Sequence, residues 1–334
     1  MRILVTGGAG FIGSALIRKI IAESNFSILN IDKLTYASNI NALDEVKDSK
    51  NYQFLEMDIN DRESLAKALI DFKPTSIMHL AAESHVDNSI ENPGKFVETN
   101  VLGTATMLIE SHNYWKLLSE ELQNSFRFLH ISTDEVYGDL EETGYFTENS
   151  PYMPSSPYSA SKAGSDHLVR AWHRTYKFPT IITNCSNNFG PFQHKEKLIP
   201  KTINSIMRGE SIPVYGDGMQ IRDWLYVEDH VDALIEVLKN GTVGETYNIG
   251  CNNEKTNIEL IKGICKIIDS YDEFPIKGKS SEDLIKFVDD RPGHDRRYAI
   301  DATKIKNELL WQPKKNFEAG IKETIDWFYA NNRN

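Results

Sequence analysis

Short apolar runs alternate with longer stretches of helical periodicity through the first half of the 334-residue chain. Apolar runs bounded by turn residues indicate buried strands, and apolar residues three or four positions apart indicate helices that pack on one face. The predicted strands are Arg2 to Thr6, Ser27 to Asp32, Tyr52 to Met57, Ser76 to Ala81, Phe126 to Ser132 and Thr180 to Asn184. The predicted helices are Phe11 to Glu23, Arg62 to Phe72, Lys95 to His112 and Tyr158 to Tyr176. This alternation predicts an α/β fold with a doubly wound parallel sheet.

In the second half of the chain the pattern loosens into loops rich in proline, glycine and asparagine. Further helices are predicted near Lys197 to Arg208, Val227 to Lys239 and Asn257 to Ile268. We interpret this part as a smaller C-terminal substrate-binding region. The predicted division gives residues 1–186 with 223–250 to a dinucleotide-binding domain, and residues 187–222 with 251–334 to the substrate-binding domain.

Charge and cysteine content exclude several classes of protein. A formal net charge of -11 argues against nucleic acid as a partner, because neutralising phosphates needs a basic surface. The three cysteines show neither a CxxC motif nor metal-ligand spacing with histidine, so we expect no zinc site, no other metal and no disulfide framework. The sequence shows no signal peptide and no apolar span of membrane length, so we expect a cytoplasmic protein with no membrane partner.

A glycine-rich turn follows the first predicted strand and opens the first predicted helix. Gly7, Gly10 and Gly13, with Phe11 and Ile12 between them, stand where backbone must approach a pyrophosphate at a helix N-terminus. Glycines of this kind also serve tight strand-to-helix packing without any ligand. The turn at the chain's first strand nevertheless favours dinucleotide binding in a Rossmann domain.

An acidic residue ends the second predicted strand at the position expected for a ribose-binding group. Asp32 can accept hydrogen bonds from the adenosine ribose diol, and its charge would repel a 2'-phosphate, which favours NAD over NADP. Lys33 beside it weakens that preference. Asp58, at the end of the third predicted strand, either borders the adenine pocket or caps the following helix.

Tyr158 and Lys162 lie one helical turn apart, so the ammonium can lower the pKa of the phenol and contact the nicotinamide ribose. A tyrosine and lysine at this spacing also occur by chance on solvated helices. The preceding predicted strand, however, ends in Ser132, Thr133, Asp134 and Glu135, at the sheet edge where ligands bind. A hydroxyl group there, followed by the tyrosine and lysine, forms the triad of short-chain dehydrogenases.

Segments spread over nearly the whole chain resemble the dTDP-glucose 4,6-dehydratases of the extended short-chain dehydrogenase/reductase family. They are GGAGFIG, HLAAESHVDNSI, ISTDEVYG, YSASKAGSDHL, NCSNNFGP, RDWLYVEDH and RPGHDRRYAID. The resemblance implies a lyase that converts dTDP-glucose to dTDP-4-keto-6-deoxyglucose and water. In that reaction C4 is transiently oxidised by NAD, water leaves across C5 and C6, and hydride returns to C6.

The resemblance also implies roles for the catalytic residues. Tyr158 takes the proton of the sugar 4-hydroxyl, while Thr133 hydrogen-bonds the C4 oxygen and Lys162 holds the ribose. Glu135 removes the C5 proton, and Asp134, protonated, donates to the departing 6-hydroxyl. Two adjacent carboxyl groups must then differ in protonation state.

Further binding residues follow from the matched segments. The implied cofactor-binding set is Gly7, Gly10, Phe11, Ile12, Gly13, Asp32, Lys33, Asp58, Ile59, Ala81, Glu83, Thr99, Ser132, Tyr158, Lys162 and Asn187. The implied substrate-binding set is Ser84, Thr133, Asn188, Lys197, Leu198, Arg222, Asn257, Arg291 and His294. The guanidinium groups of Arg222 and Arg291 suit bidentate contact with a diphosphate, although isolated arginines usually form surface ion pairs.

Two other functions remain open at this point. A UDP-sugar 4-epimerase or decarboxylase uses the same triad but has no need of the Asp134–Glu135 pair, and an idle NAD-binding scaffold needs neither. The sequence does not decide between thymine and uracil as the base. Relatives pair through two long helices, so we expect a homodimer formed by Lys95 to His112 and Tyr158 to Tyr176.

Overall fold

A parallel sheet of seven strands forms the centre of the computed structural model, which describes residues 1–271 and 280–331. Its strand order is β10-β6-β5-β4-β1-β2-β3. The strands of the chain are β1 (Arg2–Thr6), β2 (Ser27–Asp32), β3 (Tyr52–Glu56), β4 (Ser76–His79), β5 (Arg127–Thr133), β6 (Thr180–Cys185), β7 (Asn187–Phe189), β8 (Ile212–Tyr215), β9 (Ile221–Tyr226), β10 (Thr246–Ile249), β11 (Glu254–Thr256) and β12 (Ile285–Val288). The predicted doubly wound sheet is confirmed.

The order of the sheet reverses at β1, which pairs with β2 on one side and β4 on the other. The connections that leave β1 and β4 run in opposite directions, so a crevice opens beyond the carboxyl ends of these two strands. The six residues of β6 are all buried, because helices cover both faces of the sheet. The fold therefore places its ligand crevice between the ends of β1 and β4.

Helices cover both faces of the sheet, as the sequence predicts. The α-helices of the described residues are α1 (Phe11–Glu23), α2 (Arg62–Phe72), α3 (Val86–Glu91), α4 (Pro93–Phe96), α5 (Gly103–Trp115), α6 (Glu120–Ser125), α7 (Pro157–Tyr176), α8 (Leu198–Arg208), α9 (Val227–Asn240), α10 (Asn257–Asp269), α11 (Thr303–Leu309) and α12 (Phe317–Asn331). Leu16 and Ile17 of α1 share one core with Val231 of α9, whereas Leu69 of α2 and Val169 of α7 belong to the core on the other face.

The helix predicted at Lys95 to His112 differs from the structure in its regularity. The chain turns into helix at Pro93, a residue suited to a first helical position because it has no N–H to leave unpaired. A π-helical segment, Val97–Leu102, then separates α4 from α5. Such wide turns are frequent at functional sites, and this one carries Thr99.

The C-terminal part has a core of its own, formed by apolar residues of α8, α10 and α12 such as Ile203, Ile264 and Ile325. Strand β9 pairs with β7 and β11 in a three-stranded sheet, while β10 completes the main sheet. The division into two domains stays a prediction. Within residues 1–271 and 280–331, no helix is long and apolar enough to cross a membrane.

Candidate active site

The crevice at the carboxyl ends of β1, β2, β4 and β5 is a single cleft that most of the predicted site residues share. The predicted residues that line it are Gly7, Gly10, Phe11, Ile12, Gly13, Asp32, Lys33, Ile59, Ala81, Glu83, Ser84, Thr99, Ser132, Thr133, Asp134, Glu135, Tyr158, Lys162, Asn187, Asn188 and Lys197. Cofactor, catalytic and substrate groups predicted from distant segments thus meet in one place.

The glycines of the first turn have different steric roles. Gly7 has φ +72°, and a Cβ there would lie 2.7 Å from the backbone nitrogen of Ala81. A Cβ on Gly13 would lie 2.3 Å from the carbonyl oxygen of Gly7. A Cβ on Gly10 would meet that same oxygen at 3.1 Å and no other atom within 4 Å, so this residue faces open space in the cleft.

The Asp32 carboxylate is anchored beside this turn. Its Oδ2 accepts a hydrogen bond from Ala9 N at 3.0 Å, and its Oδ1 accepts from Leu34 N at 2.9 Å and from Ser38 Oγ at 3.0 Å. A carboxylate has about four lone-pair positions, so one is left for a ligand hydroxyl. This geometry suits recognition of a ribose.

Lys33 does not present a free cation to the cleft, because its Nζ lies 3.3 Å from Asp58 Oδ2. The same Nζ lies 3.4 Å from the hydroxyl of Thr99. The helix-cap alternative for Asp58 is wrong, since Asp61 caps α2 by accepting from Ser64 N. With Lys33 paired, the charge beside the ribose position disfavours a 2'-phosphate.

Thr133, Asp134 and Glu135 lie where β5 passes into a short 3-10 helix. Thr133 caps that helix by accepting a hydrogen bond from Glu135 N at 3.3 Å. Its hydroxyl lies 3.4 Å from Asp134 Oδ1, and Asp134 Oδ2 is buried without a hydrogen-bond partner among the described residues. The turn therefore points two carboxyl groups and one hydroxyl group into the cleft.

The two carboxyl groups have opposite electrostatic surroundings. Burial and then the neighbouring carboxyls of Glu135 and Asp223 raise the pKa of Asp134 well above its usual value. Burial also raises the pKa of Glu135, but the positive charges of Arg222, Lys197 and Arg291 oppose that rise. Burial and the neighbouring carboxyls therefore favour the protonated form of Asp134, and Glu135 is the member of the pair that cations hold toward the ionised form.

Tyr158 lies in the first turn of α7, whose start is set by a capping box at Ser156 and Ser159. The phenol is 8% exposed, and burial followed by the charge of Glu135 raises its pKa well above the usual value. The predicted lowering by Lys162 is therefore absent from this structure. Lys162 Nζ instead donates to the carbonyl oxygen of Ile131 at 2.8 Å.

Cations gather at the other end of the cleft. Lys197 Nζ donates to Ser84 O at 2.9 Å, and Arg222 is buried with its guanidinium 4.2 Å from the centre of the Tyr298 ring. Arg291 bonds Asp87 on α3 at 2.9 Å, and its buried Nε has no partner among the described residues. The predicted residues that lie outside the cleft lining are Asp58, Leu198, Arg222, Asn257, Arg291 and His294.

Several residues of the cleft escaped the sequence analysis. They are chiefly Tyr36, Ser38, Cys185, Gln193, His194 and Glu196. Tyr36 meets the ring of His194 edge-on at 5.9 Å, and the carboxylate of Glu196 lies between His194 and His85. Cys185 ends β6 and the others lie in loops, so helix or strand periodicity identifies none of them as a site residue.

Known proteins match this sequence over nearly its whole length. The profile of a family described as GDP-mannose 4,6 dehydratase matches residues 4–324. The dTDP-glucose 4,6-dehydratase of Neisseria meningitidis serogroup B is 56% identical over 332 residues, which are 99% of this chain and 94% of that protein. The chain belongs to the GDP-mannose 4,6-dehydratase family.

Other members of the GDP-mannose 4,6-dehydratase family match as fully. The dTDP-glucose 4,6-dehydratase 1 of Escherichia coli K12 is 55% identical, over 100% of this chain and 94% of that protein. A crystal structure of dTDP-glucose 4,6-dehydratase from Streptomyces venezuelae, with NAD bound, has a TM-score of 0.90. It is 41% identical and covers 99% of this chain and 98% of that one. The resemblance seen in the sequence is confirmed.

Gly10 and Gly13 have different surroundings, so replacing each with alanine should affect stability and NAD binding differently. Gly13→Ala places a methyl group against backbone and should lower the free energy of unfolding by about 1–3 kcal/mol. Gly10→Ala meets only the Gly7 carbonyl oxygen, at 3.1 Å, and its φ of -77° suits alanine, so it should cost less stability than Gly13→Ala while its methyl group blocks the dinucleotide. Denaturant unfolding and calorimetric NAD binding measure the two effects. Equal loss of stability in both variants would contradict this assignment.

Proposed function

We propose that this protein is an NAD-dependent dTDP-glucose 4,6-dehydratase, a lyase that forms dTDP-4-keto-6-deoxyglucose and water. The observation that carries the proposal is the carboxyl pair at the end of β5, with Asp134 among negative charges and Glu135 among positive ones. A reaction that removes one proton and protonates one leaving group needs this difference. The high identity to dTDP-glucose 4,6-dehydratases supports the substrate.

The cleft fits NAD on three observations. Gly10 leaves room for a pyrophosphate at the start of α1, and Asp32 keeps a position for a ribose hydroxyl. The buried side-chain oxygen of Asn187 has no partner among the described residues, so a polar ligand is needed to satisfy it. When bound, NAD takes a hydride from C4 of the sugar and later returns one to C6.

We assign Tyr158 as the group that accepts the proton of the 4-hydroxyl and Thr133 as the hydrogen-bond partner of the C4 oxygen. Burial beside Glu135 favours the protonated form of the phenol. It therefore needs positive charge nearby to act as a base. Lys162 provides a fixed ammonium one helical turn away and also suits contact with the ribose hydroxyls.

The oxidised sugar has an acidic C5 proton, and we assign its removal to Glu135. Arg222, Lys197 and Arg291 favour the ionised form of this carboxyl. We assign proton donation to the leaving 6-hydroxyl to Asp134, which is 1% exposed and whose protonated form is favoured by burial and by the nearby carboxyls. When hydride reaches C6, the proton held by Glu135 returns to C5.

A local excess of cations allows a protein of net charge -11 to hold a diphosphate. Lys197, Arg222 and Arg291 lie close enough to act on the same carboxyl, so they surround one end of the cleft. We propose that they bind the diphosphate, with Ser84, Asn188, Leu198, Asn257 and His294 around the rest of the nucleotide-sugar. The cytoplasmic location also stays a proposal, supported by three cysteines that form no disulfide.

The competing 4-epimerase activity leaves the 6-hydroxyl in place, so product mass separates it from dehydration. The purified protein should convert dTDP-glucose to a product lighter by one water, and it should act poorly on UDP-glucose, CDP-glucose and GDP-mannose. Mass spectrometry of each mixture measures this. Interconversion of UDP-sugars without loss of water would overturn the proposal in favour of an epimerase, and a lack of turnover would favour the scaffold.

The two carboxyl groups predict two separable defects. Glu135→Gln should prevent exchange of the C5 hydrogen with deuterated solvent, since an amide keeps the shape of the side chain and loses its basicity. Asp134→Asn should still exchange that hydrogen but eliminate water slowly. Deuterium content and water loss are both measured by mass spectrometry.

Glu142→Gln is the matched control for these variants, because it neutralises an exposed acid on the following loop. It should behave like the parent protein. Parent-like exchange in Glu135→Gln would transfer the role of base to another group.

We also propose that the protein is a homodimer, with the surface around the π-helical segment and α7 as its interface. Val97 is 50% exposed and Leu102 is 56% exposed, and the π-helical segment that carries them packs against α7. Apolar side chains at this exposure gain from burial against a second copy. Two-fold pairing would bring the same surface of each copy together.

Sedimentation should therefore give a dimer at micromolar concentration, and the double variant Val97→Glu with Leu102→Glu should sediment as a monomer. Leu310→Glu is the control, because Leu310 is 85% exposed but lies after α11. That control should remain dimeric. A monomeric parent protein would exclude the proposed interface.

A further inference from the structure

A buried carboxylate lies one helical turn beyond Lys162 and has no part in the chemistry assigned above. Asp166 is 0% exposed and Lys162 is 5% exposed, so both side chains lie on the covered face of α7. Both contact adjacent residues of β5. Lys162 Nζ donates to Ile131 O at 2.8 Å, and Asp166 Oδ1 accepts from His130 Nε2 at 3.1 Å. Residues four apart on a helix are neighbours, and these two also share a strand.

Hydrogen bonds hold Asp166 in its ionised form. The hydroxyl of Tyr152 donates to Asp166 Oδ2 at 2.9 Å and accepts from Arg170 Nη2 at 2.7 Å. Burial by itself raises the pKa of Asp166, but the hydrogen bond from His130 and the charge of Lys162 outweigh it and keep the pKa below its usual value. The core therefore contains a carboxylate anion beside the catalytic lysine.

The other titratable groups around the ammonium are neutral at pH 7. Burial lowers the pKa of His79 on β4 well below its usual value and that of His130 on β5 to about 4. Burial raises the pKa of Cys185 on β6 to about 12, and it raises that of Tyr158 on α7 as well. Among these groups, Asp166 supplies the negative charge.

We propose that Asp166 is the counter-ion that keeps Lys162 protonated inside the core, and that it is a positioning residue which acts on the reaction through this lysine. An ammonium removed from water loses its proton readily unless an anion compensates for the lost hydration. The proposal rests on the proposed function, since it matters for catalysis only if the Lys162 ammonium supports the Tyr158 phenolate and binds the ribose.

The direct test is the titration of Lys162 in protein labelled with ¹³C at the lysine side chains, followed by NMR. The Lys162 signal is assigned from its loss in Lys162→Met. Burial lowers the pKa of Lys162, and the charge of Asp166 opposes that fall. In Asp166→Asn the pKa of Lys162 should therefore fall further, by about 1–3 pH units, the effect of removing a nearby opposite charge. The alkaline limb of the pH profile of kcat/KM with dTDP-glucose should move to lower pH in the same variant.

Tyr152→Phe is the matched control, because it removes a buried hydrogen bond from the same carboxylate and keeps its charge. It should lower the stability, yet leave the Lys162 titration and the alkaline limb unmoved. A shift of equal size in Tyr152→Phe and Asp166→Asn would show a merely structural role and overturn the proposal.

Lys162→Met gives the reciprocal test and keeps the proposal falsifiable if Asp166→Asn does not fold. Loss of the cation should raise the pKa of Asp166, measured by carboxyl ¹³C NMR. An unchanged Lys162 titration in Asp166→Asn, or an unchanged Asp166 titration in Lys162→Met, contradicts the counter-ion. A shifted titration with an unmoved alkaline limb contradicts its effect on the reaction. Failure of the parent protein to convert dTDP-glucose refutes the proposed function, while the two titrations still decide the ion pair.

Discussion

Parallel pairing of β1 with both β2 and β4 is the constraint on which the site depends. Backbone hydrogen bonds fix these three strands in register, and the crossover connections must leave β2 and β4 in opposite directions. The gap that results has the first backbone N–H groups of α1 on one side and the end of β5 nearby. Gly7 and Gly13 make this close approach possible, because a side chain on either would collide with backbone. A cleft thus opens at the carboxyl edge of a sheet whose central strands are buried.

The cleft is also where the chain places buried charge. Transfer of an ion from water into a protein core costs several kcal/mol even after relaxation, so each charge needs a partner or loses its proton. The structure uses both outcomes. Burial and two nearby carboxyls favour the neutral form of Asp134. Asp166 instead stays charged near Lys162, and it accepts hydrogen bonds from His130 and Tyr152. Glu135 is intermediate: burial raises its pKa, but positive charges from the C-terminal part oppose that rise.

Sequence patterns foretold the sheet and its central groups, because these follow from local rules. Strand periodicity predicted five residues of β1 and six of β2 with the bounds that the structure has. The glycine spacing, the acid at position 32 and the tyrosine–lysine spacing are short-range signals that survive in a single sequence. The strand end at Thr133 then followed from the rule that ligands lie at the carboxyl edge of a parallel sheet.

The features that the sequence did not reveal depend on contacts between residues that are far apart in the chain. The π-helical segment within the helix predicted at Lys95 to His112 has no periodic signature, since a single wide turn does not change the spacing of apolar residues enough. Tyr36 and His194 meet across the cleft although they are far apart in the chain. Burial and the charge of Glu135 raise the pKa of Tyr158, whereas the spacing to Lys162 predicted a lowered pKa.

The raised pKa of Tyr158 determines when this phenol can act as a base. A phenol with a lowered pKa would lie as a second anion beside Glu135. A phenol kept protonated by burial becomes a base only when positive charge lies close to it or when the negative charge of Glu135 is offset. The proposed binding of an oxidised nicotinamide cofactor would add positive charge, whereas the proposed contact of a diphosphate with Arg222 would weaken the offset at Glu135. The ammonium of Lys162 is present whether or not a ligand is bound. Asp166, which is buried outside the cleft lining, keeps that ammonium charged and so affects proton transfer to Tyr158.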